Sequence, residues 1–441
     1  MRDLILFAVL ASIIPLILRQ PFVGVLAWIW ISLMHPQRQV YGFLSGFELN
    51  FMVAALTGVA WLASKEQKQI PRNGVIAVLF LFVSWASVST FFALERSHSL
   101  PIWDRTIKTF ILALAVAMLT TTRTRLQAVI WTVVVALGFY AVKGGGFTLL
   151  TGGQQRVFGP DNSQISDNNA FGLAMIVMVP LLNYLRVTSR APLVKWSCLA
   201  VLGLTLLAIL GTYSRGALVA LGAAAAAFVV RSRSGLVVIL AGAVLLVSAP
   251  SLLPQGWFDR MSTVQTYQAD SSFEGRVAAW RTSLNIAKAR PLVGGGFRAV
   301  EIDRVAQAYQ SPGSLSWGRA AHSIYFEVLG DTGIVGLALY LVMLACAWLN
   351  TSTVLAVTAR RPDLKWANEL ARMLQVSMVG LMVGGAALSM AYYDGFLVML
   401  VLTACLLQVV RQSAPLQDPG PRWRRDAAHL SSQTKRPEHT A

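Results

Sequence analysis

The sequence predicts an all-α, polytopic transmembrane helix bundle with one large, partly helical loop. Apolar residues make up 55% of the 441 residues and charged residues only 13%. The mean hydropathy is +0.59, so polar residues are too few to cover a soluble globule of this size. Apolar runs recur down the whole chain between short charged connectors, without the alternation typical of a membrane β-barrel.

Thirteen apolar runs predict 12 or 13 spans, because several are shorter than the roughly 20 residues needed to cross the hydrocarbon core. Ten runs form an N-terminal transmembrane region, 1–250, and three form a C-terminal one, 322–411. In order, the runs are 4–18, 21–34, 47–63, 74–92, 107–120, 126–142, 168–186, 195–214, 216–230, 236–250, 322–349, 372–390 and 394–411. We predict that the first run is retained, since Arg19 and Gln20 follow it without a small-residue cleavage pattern.

The distribution of Lys and Arg predicts the orientation, because cytoplasmic loops are enriched in them. One alternation of the connectors places 21 of the 37 basic residues but only 6 of the 20 acidic residues in the cytoplasm. The tail 412–441 is then a disordered, basic, cytoplasmic segment near anionic membrane lipid. Because the net charge of +17 is mostly a topology signal, nucleic acid is not a predicted partner. The loop 251–321 faces outward, into the periplasm if this is a bacterial inner-membrane protein.

Candidate anion-binding residues lie on this outward side. Arg215 stands alone between two apolar runs, and a charge at the membrane edge usually indicates a function, although its side chain could also snorkel to lipid phosphate. Within the loop, residues 274–290 predict a helix with Arg276 and Trp280 on one face. A cluster of guanidinium groups suits phosphate oxygens, although single loop arginines are often only solvated. Further candidates are Arg281, Arg298 and Arg319.

His322 begins the span that follows the loop, with Glu327 further along it. A histidine near neutrality can accept a proton from a hydroxyl nucleophile, although a lone histidine at a membrane edge can also be an interfacial anchor. Asp394, at the start of the last span, could orient His322, bind sugar hydroxyls or only complement the helix dipole. The sequence has no Walker loop and no HExxH motif, and its three cysteines lie in apolar runs. We therefore predict no cofactor, metal site or disulfide framework.

Three segments resemble the signature region of the O-antigen ligase and polymerase superfamily. They are Arg290-Pro-Leu-Val-Gly-Gly-Gly-Phe297, His322-Ser-Ile-Tyr-Phe-Glu-Val-Leu-Gly-Asp-Thr-Gly-Ile-Val-Gly336 and Thr212-Tyr-Ser-Arg-Gly216. The segments 1–6 and 21–36 resemble a narrower branch, the O-glycosylation ligases associated with exosortase A systems.

The resemblance implies an enzyme that transfers a glycan from undecaprenyl diphosphate to an acceptor hydroxyl on the periplasmic face, without metal or nucleotide. It implies that Arg215 and Arg276 hold the diphosphate and that His322 activates the acceptor, while Asp394 matches a later acidic position more loosely. Ser323 stands where the superfamily usually has Asn. Because diphosphate is a stable leaving group, we expect one displacement that inverts the anomeric carbon.

Two other functions stay open. A polymerase of the same superfamily would extend a lipid-linked glycan, and a transporter of polyprenyl-linked sugar would need the arginines but not His322. No internal repeat of the kind found in many transporters is evident in the sequence. The acceptor could be a protein, a polysaccharide or a lipid. We expect the arginines and His322 to meet in a lateral, lipid-accessible pocket that the loop covers.

Overall fold

The computed structural model describes residues 1–66, 68, 70–231, 254–262, 271–311 and 317–413. These residues form α-helices and short 3-10 turns, and they contain no strand, which confirms the predicted fold class. In chain order the helices are α1 (Arg2–Arg19), α2 (Pro21–Met34), α3 (Leu49–Ala63), α4 (Gly74–Phe91), α5 (Arg96–Leu119), α6 (Arg123–Leu150), α7 (Asn168–Thr188), α8 (Pro192–Gly211), α9 (Arg215–Arg231), α10 (Gln255–Ser262), α11 (Ser271–Ala289), α12 (Asp303–Ala308), α13 (Ile324–Thr358), α14 (Lys365–Gly385) and α15 (Asp394–Ser413).

Every predicted run in the described ranges coincides with a helix, but α5, α6 and α13 extend well beyond their predicted runs, and α14 begins seven residues before its predicted start. α5 begins at Arg96 instead of residue 107, and an ion pair of 2.7 Å between Asp104 and Lys108 joins successive turns of the added part. α6 continues to Leu150, beyond the predicted end at residue 142. Its glycines do not end it, because Gly145 lies against the backbone of Leu204 in α8 and leaves no room for a side chain. The predicted run 236–250 lies outside the described residues, as does the tail after residue 413.

Six of the described helices are long and apolar enough to cross a bilayer: α4, α6, α7, α8, α13 and α15. This fits a multi-pass membrane protein. Among the others, α2 and α3 have only 14 and 15 residues, and α5 carries three charged residues within five positions, at 104, 105 and 108. The total of 12 or 13 spans therefore stays a prediction.

The spanning helices divide into inner and outer ones. In α15, 89% of the apolar window is buried within the protein, and α7 is nearly as buried. In α8 the corresponding share is 22%, so most of its apolar surface faces outward. A helix that is apolar all round and exposed in this way requires lipid as its solvent.

The predicted loop is partly helical, as expected, since it contains α10, α11 and α12. Its first helix is attached to the bundle, because the indole nitrogen of Trp257 donates a hydrogen bond to the carbonyl of Leu210 (3.1 Å) at the end of α8. The predicted helix at 274–290 is α11, which begins three residues earlier and ends at Ala289. α11 packs against α13.

α13 is broken near its start. Gly333 has φ 72° and ψ −169°, a conformation that is essentially restricted to glycine. The break separates a short segment, residues 324–332, which we call the half-helix, from the long remainder of α13. A Cβ atom added at Gly294 would lie 2.6 Å from the nitrogen of Gly333, so these two glycines pack backbone to backbone.

The glycine turn, residues 294–296, is hydrogen-bonded to the half-helix. The nitrogen of Gly295 donates to the carbonyl of Gly330 (2.8 Å), and the nitrogen of Gly296 donates to the carbonyl of Asp331 (2.9 Å). The break deprives these carbonyls of their helical partners, so the turn supplies the donors that the helix itself cannot.

Two side chains of α4 complete this junction. The indole nitrogen of Trp85 donates to the carbonyls of Thr332 (3.1 Å) and Leu292 (3.2 Å). The hydroxyl of Ser89 donates to the carbonyl of Asp331 (2.7 Å). The half-helix is thereby fixed to both the loop and the membrane bundle.

We expect Gly333→Ala to destabilise the protein. The change places a side chain in a glycine-only conformation, at a cost of about 1–3 kcal/mol, and its Cβ would lie 2.6 Å from the carbonyl oxygen of Pro291. The matched control is Gly203→Ala, because Gly203 lies in α8 with open space around it. Thermal unfolding of the detergent-purified protein should show a lower midpoint for Gly333→Ala only. Equal midpoints for the two variants would contradict the described break.

Candidate functional site

The starts of α7 and α9 are joined side by side. The amide of Asn168 donates to the carbonyl of Thr212 (2.7 Å), and the hydroxyl of Ser214 donates to the amide oxygen of Asn169 (2.7 Å). Arg215 is the first residue of α9. Two helix N-termini, which carry partial positive charge, therefore lie next to Arg215.

His322 lies near Asp167 at the start of α7, directly before the half-helix. Its backbone is left-handed, with φ 45°, a conformation uncommon for residues other than glycine. Its side chain is half-buried. Burial and the charge of Arg276 lower the pKa of His322 below 6.5, whereas the charge of Asp167 opposes this shift. The structure thus brings together His322, Arg276 and Asp167, the residue that caps α7.

Trp280 holds the His322 segment from the loop side. Its indole nitrogen donates to the carbonyl of Ala321 (2.6 Å), and its ring stacks on that of Phe326, with centroids 5.2 Å apart and 11° between the planes. These contacts lie on either side of His322 in sequence. Sequence reasoning placed Trp280 on one face with Arg276 but did not identify it as a positioning residue.

Two further arginine candidates, Arg319 and Arg281, lie in different surroundings. The guanidinium of Arg319 lies against Gly275, and a side chain at that position would strike it. Gly275 directly precedes Arg276 in sequence. Arg281 is exposed on α11. Of the two, only Arg319 contacts the part of α11 that carries Arg276.

Arg298 has a structural role. Its backbone is left-handed, with φ 53°, and its nitrogen donates to a carboxylate oxygen of Asp331 (2.8 Å). Its guanidinium lies 3.6 Å from the carboxylate of Glu301. These contacts hold the segment after the glycine turn against the half-helix.

Glu327 faces the connection between α14 and α15. It is buried, and its carboxylate accepts a hydrogen bond from the nitrogen of Ala391 (3.0 Å). One turn later, the carboxylate of Asp331 accepts from the hydroxyl of Tyr392 (3.0 Å). These acids fix the half-helix to that connection, and this accounts for Glu327 without a chemical role.

Asp394 does not join His322 by any hydrogen bond in the described residues. Its carboxylate accepts from the hydroxyl of Thr109 and from the amide of Gln164 (3.3 Å). It lines a separate cavity with His35 and other residues of the N-terminal region. The hydrogen-bond partners of the Asp394 carboxylate in the described residues thus lie on α5 and in the connection before α7, and an orienting role towards His322 stays a prediction. Within the ranges that the structure describes, no cluster of three or more His, Cys, Asp or Glu residues could hold a metal ion.

Two family models match the chain. Residues 1–190 match a family of unknown function, DUF5935, and residues 198–341 match the O-antigen ligase family, Wzy_C. The second match includes Arg215, Arg276 and His322, and it supports the O-antigen ligase superfamily. It does not distinguish the exosortase-associated branch.

Comparisons with individual proteins do not define the function further. No curated protein matches the chain. Three chains of solved structures match. One of them belongs to a structure titled "Structural coordination of polymerization and crosslinking by a peptidoglycan synthase complex"; it is 19% identical, with 78% of this chain and 98% of that chain covered and a TM-score of 0.39.

We expect diethyl pyrocarbonate, which reacts with neutral imidazole, to modify His322 with a half-maximal rate below pH 6.5. Arg276→Gln should move this midpoint upward, because removing a nearby positive charge favours the protonated imidazole. The matched control is Lys288→Gln, which removes an exposed charge from the same helix. Mass spectrometry of the peptide containing His322 measures the rate at each pH. An unchanged midpoint in Arg276→Gln would show that Arg276 is not close to His322.

Proposed function

We propose that this protein is a membrane glycosyltransferase of the O-antigen ligase type. It transfers a glycan from undecaprenyl diphosphate to an acceptor hydroxyl on the periplasmic face of the inner membrane. The observation that carries the proposal is the position of His322 next to Arg276 and the start of α7, where burial and the charge of Arg276 lower the pKa of the imidazole. The match of residues 198–341 to the O-antigen ligase family supports it independently.

His322 acts as the general base in this proposal. Its imidazole accepts the proton of the acceptor hydroxyl while the oxygen attacks the anomeric carbon of the glycan. A new glycosidic bond forms, and the bond from the anomeric carbon to the diphosphate oxygen breaks. Attack from the face opposite the diphosphate inverts the anomeric configuration. Asp167 stabilises the imidazolium, since its charge favours the protonated form.

The diphosphate leaves with increased negative charge, and the site has fixed positive charge to receive it. Arg215 and Arg276 provide guanidinium groups, which bind phosphate oxygens in pairs. The adjacent starts of α7 and α9 add the positive ends of two helix dipoles. Stabilisation of the leaving group by preorganised charge needs neither metal nor nucleotide.

The lowered pKa of His322 sets the expected pH dependence. The neutral form is the active base, and a pKa below 6.5 keeps it populated at neutral pH. As the pH falls through this pKa, the imidazole becomes protonated and transfer is lost. Wild-type transfer should therefore persist to a more acidic pH than an unperturbed histidine would permit.

We expect His322→Ala to lower the rate of glycan transfer by about 10²–10⁴-fold, the usual contribution of a general base. Binding of the donor should be retained, because the diphosphate contacts lie on Arg215 and Arg276. The assay supplies purified enzyme and a membrane fraction with labelled undecaprenyl-diphosphate glycan. The fraction that becomes labelled separates a ligase from a polymerase, which would lengthen the lipid-linked glycan itself. Undiminished transfer by His322→Ala would exclude the general base. Absence of transfer by the wild-type protein, with the donor still bound, would favour a transporter.

The arginines can be tested with their charge retained. Arg215→Lys and Arg276→Lys should each reduce transfer about 10–100-fold, because lysine cannot replace the paired hydrogen bonds of the guanidinium group. Arg190→Lys is the control, since Arg190 is exposed in the connection between α7 and α8. Initial rates at several donor concentrations are measured. If both site variants match Arg190→Lys, the arginines do not hold the diphosphate.

A further inference from the structure

A polar cavity of about 510 Å³ lies in the N-terminal region and plays no part in the proposed transfer. We call it the N-terminal cavity. It is lined by residues of α2 and the segment after it, the start of α3, the middle of α5, the connection before α7 and the start of α15. The charged lining comprises the cations Arg38, Arg105 and Lys108 and the carboxylates Glu48, Asp104 and Asp394, and His35 and Gln37 are also polar. A volume of this size falls in the range of small-molecule sites.

The cavity contains two guanidinium groups that are not neutralised by close ion pairs. Lys108 is paired with Asp104 at 2.7 Å. Arg38 and Arg105, in contrast, form no ion pair closer than 4.0 Å with any residue that the structure describes. Arg105 interacts with the carboxylates of Asp394 and Glu327 only at longer range. A pair of such cations in a cavity favours an anionic ligand.

The positive charges of Arg38 and Arg105 also act on His35. Its backbone is left-handed, with φ 48°, at the end of α2. Burial, Arg38 and Arg105 lower its pKa to about 4. His35 is therefore neutral at physiological pH and offers the cavity a hydrogen-bonding imidazole instead of a third positive charge.

The cavity also contains acceptors for hydroxyl groups. The exposed carboxylate of Glu48 lies in its wall. The carboxylate of Asp394, held by Thr109 and Gln164, is a second acceptor in the wall. Hydroxyl groups are donors of the required kind.

We propose that the N-terminal cavity binds a saccharide unit that carries a carboxylate or phosphate group. Arg38 and Arg105 bind the anionic group, and Glu48 accepts a hydrogen bond from a sugar hydroxyl. The cavity lies within residues that match the family of unknown function, apart from Asp394. The proposal does not depend on glycan transfer at His322, because it concerns binding alone.

The test is calorimetric titration of the full-length protein in octaethylene glycol monododecyl ether, whose head group has neither sugar nor phosphate. The probes are trigalacturonate, glucose 6-phosphate, neutral galactotriose and inorganic phosphate. We expect trigalacturonate or glucose 6-phosphate to bind at least 10-fold more tightly than galactotriose and inorganic phosphate. Whichever charged sugar binds identifies the source of the anionic group.

Variants locate the binding. Arg38→Gln and Arg105→Gln should each weaken binding of the charged sugar at least 10-fold, whereas Arg190→Gln, at an exposed site, should not. His322→Ala should bind it as wild type does, so a failure of the transfer proposal leaves this result interpretable. Thermal unfolding checks that each variant folds. If Arg105→Gln does not fold, the test rests on Arg38→Gln, because Arg38 is exposed at the cavity.

Three outcomes would overturn the proposal. The first is that neither charged sugar binds. The second is that binding is unaffected by the arginine variants, which would locate it elsewhere. The third is that inorganic phosphate binds as tightly as the charged sugars, which would show an anion site without sugar recognition.

Discussion

The carboxylate of Asp331 is the interaction on which the candidate site depends. One of its oxygens accepts from the nitrogen of Arg298 and the other from the hydroxyl of Tyr392. The residue is 2% exposed, and a buried carboxylate without such partners would be strongly unfavourable. It therefore holds the loop and the connection before α15 to the half-helix, and removing any partner would leave a buried acceptor unsatisfied.

The position of His322 follows from this junction. His322 lies directly before the half-helix, which is fixed at one end by the break at Gly333 and along one side by Glu327 and Asp331. Trp280 fixes the opposite side through its contacts with Ala321 and Phe326. A proton acceptor has to be held within a fraction of an ångström of its productive place. The rigid surroundings of the half-helix provide that constraint from several elements.

The sequence was sufficient to predict the helices, because a run of apolar residues has few alternatives in a bilayer. It did not predict the break in α13, since the apolar pattern continues on both sides of Gly333. The 290–297 segment indicated a turn, but only the structure shows that the turn fills that break. The proximity of Arg276 to His322 was expected from the family resemblance and not from their spacing. The partners of Asp394 lie far away in the chain, at residues 109 and 164, and no local pattern reveals such contacts.

The packing of Gly294 against Gly333 restricts which residues this region of the chain can contain. A side chain at Gly294 would strike the backbone at Gly333, and one at Gly333 would strike the backbone at Leu292. Because both obstacles are main-chain atoms, a second substitution elsewhere cannot relieve either one. Packing alone therefore excludes a side chain at these two positions, whatever sugar or acceptor the protein uses. Their pattern is accordingly a fingerprint of the scaffold, and selectivity among substrates has to be sought in residues outside it.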